Sequence, residues 1–393
     1  MGLFWINVGK AWSLIREEGI LRGGRRIFSY ATRLFSRVPP GDILIVTGGV
    51  GDSARYRAHH VAEELNLHGI QTSVTHQDNP FLTSYANRFS VFIFHRTLFT
   101  SRVEKLFTEV KKLEKEIIFE TDDLVYDPQY IQQTAYYQKM NALQQELYEK
   151  GVGAEILRDS SVKVCTTTTS FLAKKLGELG KQVFIVPNKL SKQDMEWIRK
   201  IPNTIRQLTD QIPNTISLGY FSGTASHDAD FATITEALLR VMEARPAVKL
   251  VIAGPLVLDD AFAPFRERII RLPFASRREH FENIASIDIN LAPLVIGDPF
   301  CESKSELKFV EAGACGIPTI ASATQTFREA IVNGEDGLVA VNTDEWKEKL
   351  LRLIDDEQLR KDIGEAARKK AFEQYTTERS NNESYYNYLR RKI

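Results

Sequence analysis

Cysteine is scarce in this 393-residue chain: Cys165, Cys301 and Cys315 show no CxxC spacing and cannot all pair with one another. That excludes both a disulfide framework and a structural zinc site, and a reducing cytoplasmic setting is expected. Charge of one sign is also lacking, because 51 Lys and Arg balance 51 Asp and Glu. No global field gathers nucleic acid, so no nucleic-acid partner is expected and any polyanion site must be local. There is no uninterrupted apolar run of the roughly 20 residues needed to cross a bilayer. The sixth residue is Ile6, where N-myristoylation needs Ser or Thr, and no apolar stretch with a small-residue cleavage site follows. A dinucleotide fingerprint is missing as well: Gly48-Gly-Val-Gly51 follows an apolar run, yet no acidic residue ends a second strand about 20 residues on.

What is present points to two domains. The length exceeds the size at which one core stops growing, and 43% hydrophobic content is ordinary for a globular chain. Residues 1–40 form a separate piece in which Lys10, Arg16, Arg22, Arg25, Arg26, Arg33 and Arg37 face only Glu17 and Glu18, interleaved with Trp5, Trp12, Leu21, Phe28 and Phe35. Two readings stand: a basic amphipathic segment making peripheral contact with the anionic inner face of a membrane, or a helical extension packed on the protein with its arginines in solvent. Gly19, Gly23 and Gly24 interrupt any continuous helix.

From Asp42 onward, short runs rich in Val, Ile and Phe alternate with charged stretches of helical period. Strands are expected at Asp42 to Thr47, Val91 to His95, Glu116 to Glu120, Val162 to Thr166 and Val183 to Pro187. Further strands are expected at Ile216 to Tyr220, Val248 to Ala253, Arg268 to Leu272, Ile287 to Ala292, Pro318 to Ala321 and Gly337 to Val341. Continuous rather than alternating apolar runs indicate strands of a parallel sheet buried on both faces. Between them, Phe231, Ile234, Leu238, Val241 and Met242 fall on one helical face. The expected fold class is α/β, with two doubly wound Rossmann-like domains at residues 41–190 and 216–375, a linker at 191–215, and a C-terminal helix at 376–393 returning toward the first domain. Open parallel sheets bind ligands beyond the carboxyl ends of their strands, so function is expected in the strand-to-helix loops and in a cleft between the domains.

The most informative stretch is Phe300-Cys-Glu-Ser-Lys-Ser-Glu-Leu-Lys-Phe-Val-Glu-Ala-Gly-Ala-Cys-Gly-Ile-Pro318. Ser303 with Glu306 spells a capping box, which predicts a helix starting near Lys304 and ending at Gly316. Lys304, Lys308 and Glu311 share one face at helical spacing. A helix N-terminus with two lysines suits a diphosphate, and Glu311, about two turns in, suits a ribose diol. The competing reading is a solvated face of surface charges. Ser222, Gly223 and Thr224, directly after a strand, are further candidates for touching phosphate, as is Gly49 in the glycine loop, near which Arg55 or Arg57 can meet a phosphate. His95 and Asp123 end strand runs on the acceptor side. Asp228-Ala-Asp230 has the spacing of a metal-binding DxD but stands where Asp caps a helix, and no metal is expected.

Leu218-Gly-Tyr-Phe-Ser-Gly-Thr224, Leu250-Val-Ile-Ala-Gly254, Asp288-Ile-Asn-Leu-Ala-Pro293 and Glu311-Ala-Gly-Ala-Cys-Gly-Ile-Pro-Thr-Ile-Ala-Ser322 resemble retaining GT-B glycosyltransferases of glycosyltransferase family 4, especially bacterial enzymes of O-antigen and other surface glycans. The resemblance implies a GT-B fold over residues 41–390 and transfer of a hexosyl or deoxyhexosyl group to a glycan or lipid-linked acceptor. It implies retention, a nucleotide diphosphate-sugar as co-substrate, and no required cofactor or metal. In that family a Glu-x7-Glu pair straddles the last helix, and Glu311 matches the second glutamate, which holds the donor ribose. Ser303 stands where the first is expected, with Glu302 displaced by one, and the family's Arg and Lys for the diphosphate have no evident counterpart after Ser222. The resemblance also implies that His95, Asp123 and Arg55 act near the transferred sugar. Two other readings remain open: a non-catalytic glycosyltransferase-like binding subunit, and a GT-B sugar-nucleotide epimerase.

Overall fold

Ile43-Leu-Ile-Val-Thr47 has no polar alternation, and all five residues are buried, so its two faces both need cover. In the computed structural model, which describes residues 37–49, 51–133, 135–138, 140–202, 215–222, 228–273 and 275–393, this strand is β1. The basic opening segment up to residue 36, most of the repeated Ile-Pro-Asn-Thr-Ile stretch, Gly223 and Thr224 lie outside the described residues. The chain divides into two compact units. One holds the described residues up to Thr168 with Leu172–Val186 and Asn382–Ile393, and the other holds Thr169–Phe171 with Pro187–Asn381.

The first unit contains a sheet of β1 (Ile43–Thr47), β2 (Thr72–His76), β3 (Val91–His95), β4 (Glu116–Thr121), β5 (Val164–Thr167) and β6 (Gln182–Ile185), in the order β2-β1-β3-β4-β5-β6. Every pairing is parallel. The sequence reading missed β2, because Thr72-Ser-Val-Thr-His76 is a mostly polar edge strand, two residues buried and three half-buried, with no apolar run. Ile43, Ile45, Val91, Ile93, Ile118 and Val164 form a core with the Val61–Leu67 helix and with Tyr385, Tyr386 and Leu389 of the C-terminal Glu383–Arg390 helix. Tyr386 donates to Glu64 Oε1 at 2.5 Å.

The second unit repeats the arrangement with β7 (Ile216–Phe221), β8 (Val248–Ala253), β9 (Ile269–Leu272), β10 (Ile289–Ala292), β11 (Thr319–Ser322) and β12 (Leu338–Ala340), in the order β12-β11-β10-β7-β8-β9. All are parallel. The apolar face read from Phe231 to Met242 enters the core with Leu218, Leu250, Ile289 and Ile320, although it is divided between helices Asp228–Ala232 and Thr235–Ala244. The stretch set down as linker carries a helix, Lys192–Arg199, opened by a Ser191–Asp194 capping box. Strand order reverses at β1/β3 in one sheet and at β7/β10 in the other, the two places where loops diverge and a ligand fits beyond the strand ends.

Arg57, which the sequence offered as a phosphate contact, is 1% exposed inside the first unit. It donates through Nε to Glu120 Oε1 at 2.8 Å and through Nη1 to Val186 O at 2.7 Å, so it is a core ion-pair residue. Arg57→Met strands Glu120 in low dielectric and is expected to cost about 3–5 kcal/mol. A chemical-denaturation midpoint will report that loss, and adding Glu120→Leu is expected to restore part of it.

Candidate functional site

The second unit builds its polar cluster around the reversal at β7/β10. The helix carrying Glu311 runs Leu307–Ala314, not from Lys304, and its N-cap Glu306 makes no side-chain capping bond. The expected capping box is absent because a separate short helix, Pro299–Glu302, is capped by Asp298 and ends on Ser303. Ser303 is fully buried and donates to Phe300 O at 2.7 Å. Glu302 accepts from Gly297 N at 2.9 Å and from Gln325 N at 2.7 Å. It thereby fastens the loop after β10 to the helix after β11.

Glu311 is buried, and its two oxygens are engaged from one neighbouring helix, Arg277–Ala285. Arg277 Nη1 donates to Oε1, and His280 Nε2 lies 3.1 Å from Oε2. Residues 277 and 280 lie three apart on that helix and so share a face. Arg277 also holds Asp194, with Nε 3.1 Å from Oδ1, and its guanidinium lies 4.3 Å over the Phe281 ring. Neither Arg277 nor Asp194 was found by the sequence reading, since no motif links residues so far apart.

Lys308 reaches the end of β7, where its ammonium donates to Phe221 O and sits 5.0 Å over the Tyr220 ring. Burial pushes this ammonium down to about 8, opposed by Glu311 and Asp230. Lys304 lies 4.2 Å over the Phe300 ring. Ser222 is buried directly after β7, and Gly254 approaches it so closely that an added Cβ would stand 2.0 Å from Ser222 O. Asp230 accepts from Cys301 Sγ at 3.1 Å and from Val295 N at 3.3 Å, while Asp228 accepts from Val257 N at 3.2 Å. The Asp228-Ala-Asp230 carboxylates thus tie loops together. Among the described residues no group of three or more His, Cys, Asp or Glu is placed to hold a metal.

In the first unit the reversal at β1/β3 gathers a second cluster. His95 is fully buried, with Nδ1 2.9 Å from Thr47 Oγ1 and Nε2 3.2 Å from Ser53 Oγ. Ser53 donates to Asp122 Oδ2 at 3.1 Å, so its single proton is used there and His95 Nε2 is the donor toward Ser53. Gly49 packs against the ring; an added Cβ would stand 2.8 Å from His95 Cε1. Asp122, not Asp123, is the carboxylate that meets this network. Burial raises the Asp122 acid, but the charge of Arg96, with the His95 imidazole 3.8 Å away, outweighs it and holds Asp122 well below the usual range. Asp123 instead pairs with Arg96 and caps the turn Leu124–Tyr126 through Val125 N at 3.1 Å. Arg55 pairs with Asp52 one turn before it.

Residues 211–370 match the family of glycosyl transferases group 1. The second unit contains a group 1 glycosyltransferase domain. An uncharacterized glycosyltransferase of Methanocaldococcus jannaschii is 37% identical over 93 residues, 22% of this chain and a quarter of that relative's length. Among solved structures, Anabaena HepE in complex with UDP and glucose superposes with a TM-score of 0.60 at 14% identity, covering 86% of this chain and 96% of that one. WaaG, a glycosyltransferase involved in lipopolysaccharide biosynthesis, gives 0.58 at 16% identity over 88% and 99%. The two six-stranded parallel sheets are those of the GT-B glycosyltransferase fold. Within the group 1 domain lie Glu311, Arg277, His280, Lys308, Lys304, Ser303 and Ser222; Asp194, His95, Asp123, Arg55 and Gly49 lie outside it.

Gly254 has φ +89, and Gly297 has φ +81 with nothing within 4 Å of an added Cβ. Both alanine variants carry backbone strain of about 1–3 kcal/mol, but only Gly254→Ala displaces Ser222. The chemical-denaturation midpoint is therefore expected to fall further in Gly254→Ala than in Gly297→Ala.

Proposed function

We propose that this chain takes a sugar from a nucleoside diphosphate donor held by residues 216–375 and transfers it, with retention, to a glycan or lipid-linked acceptor served by residues 41–190. The observation that carries the reading is Glu311: a buried carboxylate inside a group 1 glycosyltransferase domain, fixed beside the strand-order reversal where parallel sheets bind ligands. A carboxylate there accepts the ribose diol through charge-assisted hydrogen bonds. Lys308, Lys304 and the amino end of the Leu307–Ala314 helix supply positive potential for the diphosphate as charge builds on the leaving group, and Ser222 offers a hydroxyl donor. Ser222 and Gly49, together with Gly223 and Thr224, are assigned to the phosphate, and His95, Asp123 and Arg55 to the acceptor side, with Asp122 added to them. No metal is assigned a role. The surface-glycan setting rests on the resemblance and on the basic character of residues 1–40, which suits the inner face of an anionic membrane. Among the described residues no helix is long and apolar enough to cross a membrane.

The buried Ser303 favours a second reading, a binding subunit that holds the nucleotide without transferring its sugar. Incubation with donor separates the readings: a transferase releases nucleoside diphosphate, a sugar-nucleotide epimerase makes a new sugar nucleotide, and a binding subunit does neither. A thermal-shift panel of uridine, guanosine, thymidine and cytidine diphosphates is expected to show one clear winner, because binding to the folded state raises its stability as ln(1 + [L]/Kd). Glu311→Gln should remove that shift; a protein indifferent to all four diphosphates would defeat the proposal.

The lowered Lys308 ammonium adds a pH signature. Below about 8 it is charged and attracts the diphosphate; above that value it is neutral in the empty protein. Between pH 7, where the diphosphate is already fully charged, and pH 8 affinity is therefore expected to be nearly level and to decline beyond, while Lys308→Met lowers affinity at pH 7 and flattens the decline. Stability of the empty protein moves the other way, since between about 8 and the ordinary 10.5 the unfolded chain binds the proton better and the folded state gains with pH.

A further inference from the structure

We infer that Arg277 is a positioning residue that aims Glu311 at the ribose, and that Asp194 in turn fixes Arg277. The inference rests on the reading of Glu311 as the ribose acceptor and deepens it. Recognition of a vicinal diol by one carboxylate needs both oxygens in a set plane, because rotation about the last side-chain bond turns one of them away. In this protein both are held: Arg277 Nη1 donates to Oε1, and His280 Nε2 stands 3.1 Å from Oε2.

The holding group is itself held. Arg277 meets Asp194 through two nitrogens, Nε to Oδ1 at 3.1 Å and Nη2 to Oδ2 at 3.3 Å, the fork geometry that fixes a guanidinium in plane. Asp194 cannot swing, because its Oδ2 also accepts from Ser191 N at 3.2 Å in the capping box of the Lys192–Arg199 helix. The Arg277 and Asp194 side chains are 8% and 2% exposed, so the chain from helix cap to Asp194 to Arg277 to Glu311 lies out of bulk water, where directional bonds keep their strength. A lysine at 277 can neutralise charge but cannot make that fork.

The test compares UDP, GDP and CDP each with its 2′-deoxy counterpart by calorimetry on the full chain, taking the ratio of affinities within a pair. A ratio is insensitive to general loosening, since both ligands meet the same folded protein, and thermal midpoints check folding. The wild-type protein is expected to prefer the ribonucleotide about tenfold or more, the worth of one hydrogen bond to a charged group. Glu311→Gln should bring the ratio close to one. Arg277→Met and Asp194→Asn should lower it severalfold with a smaller effect on the deoxy ligand, and Arg277→Lys should recover only part. Should Arg277→Met not fold, Asp194→Asn and Arg277→Lys carry the test. A ratio that collapses in Glu311→Gln but survives in Asp194→Asn and in the folded Arg277 variants overturns this inference and leaves the ribose reading standing. A ratio intact in Glu311→Gln, or a wild-type protein that binds none of the three ribonucleoside diphosphates, overturns both.

Discussion

A parallel sheet covered on both faces leaves polar chemistry only at the ends of its strands, and this constraint organises each unit of the protein. Along β1, β3, β7 and β10 nearly every side chain is buried, so a charged group inside the strand run would face desolvation without a partner. Beyond the carboxyl ends the backbone diverges and the loops carry what the strands cannot: His95 and Arg96 after β3, Ser222 after β7, and the Leu307–Ala314 helix after β10. The order of the strands then decides which loops become neighbours. Because β10 lies beside β7 and not beside β9, Lys308 can reach the last carbonyl of β7.

Buried charge in this protein is handled mainly by arginine in multi-contact pairs. Arg57 with Glu120, Arg96 with Asp122 and Asp123, and Arg277 with Asp194 and Glu311 each set a planar guanidinium against carboxylates. A planar fork fixes direction as well as charge, which is what a site needs when a carboxylate must present a defined face. The three sets differ in where they stand. Arg57 joins strand β4 to the segment after β6 and serves the core, whereas the other two lie where strand order reverses. Arg96 holds φ at 46°, a left-handed backbone that non-glycine residues seldom adopt, and its two carboxylate partners hold it there.

The segment from Asp298 to Glu306 shows how a missing motif residue can be absorbed. Ser303 is drawn inward to close the Pro299–Glu302 helix, and Glu302 is spent on backbone N–H groups from two loops. The carboxylate that remains at the centre of the cluster is Glu311.

Much of the fold was legible in the sequence, because burial on two faces leaves a signature that any window of residues displays: apolar runs such as Val91 to His95, and the helical stripe from Phe231 to Met242. The edge strand β2 escaped, since an edge needs only one covered face and its residues are mixed. The burial of Glu311 was also legible, from its place in a short helix rich in small residues. The partners were not. Arg277 is 34 residues from Glu311 and 83 from Asp194 in sequence, Arg57 is 63 from Glu120, and the choice of Asp122 over Asp123 as the neighbour of His95 turns on which way two adjacent side chains point. Periodicity along the chain records whether a residue is buried, a local property of strand and helix. Which charge faces which is set only when distant loops are brought to one end of a sheet, and that was decided by the tertiary structure alone.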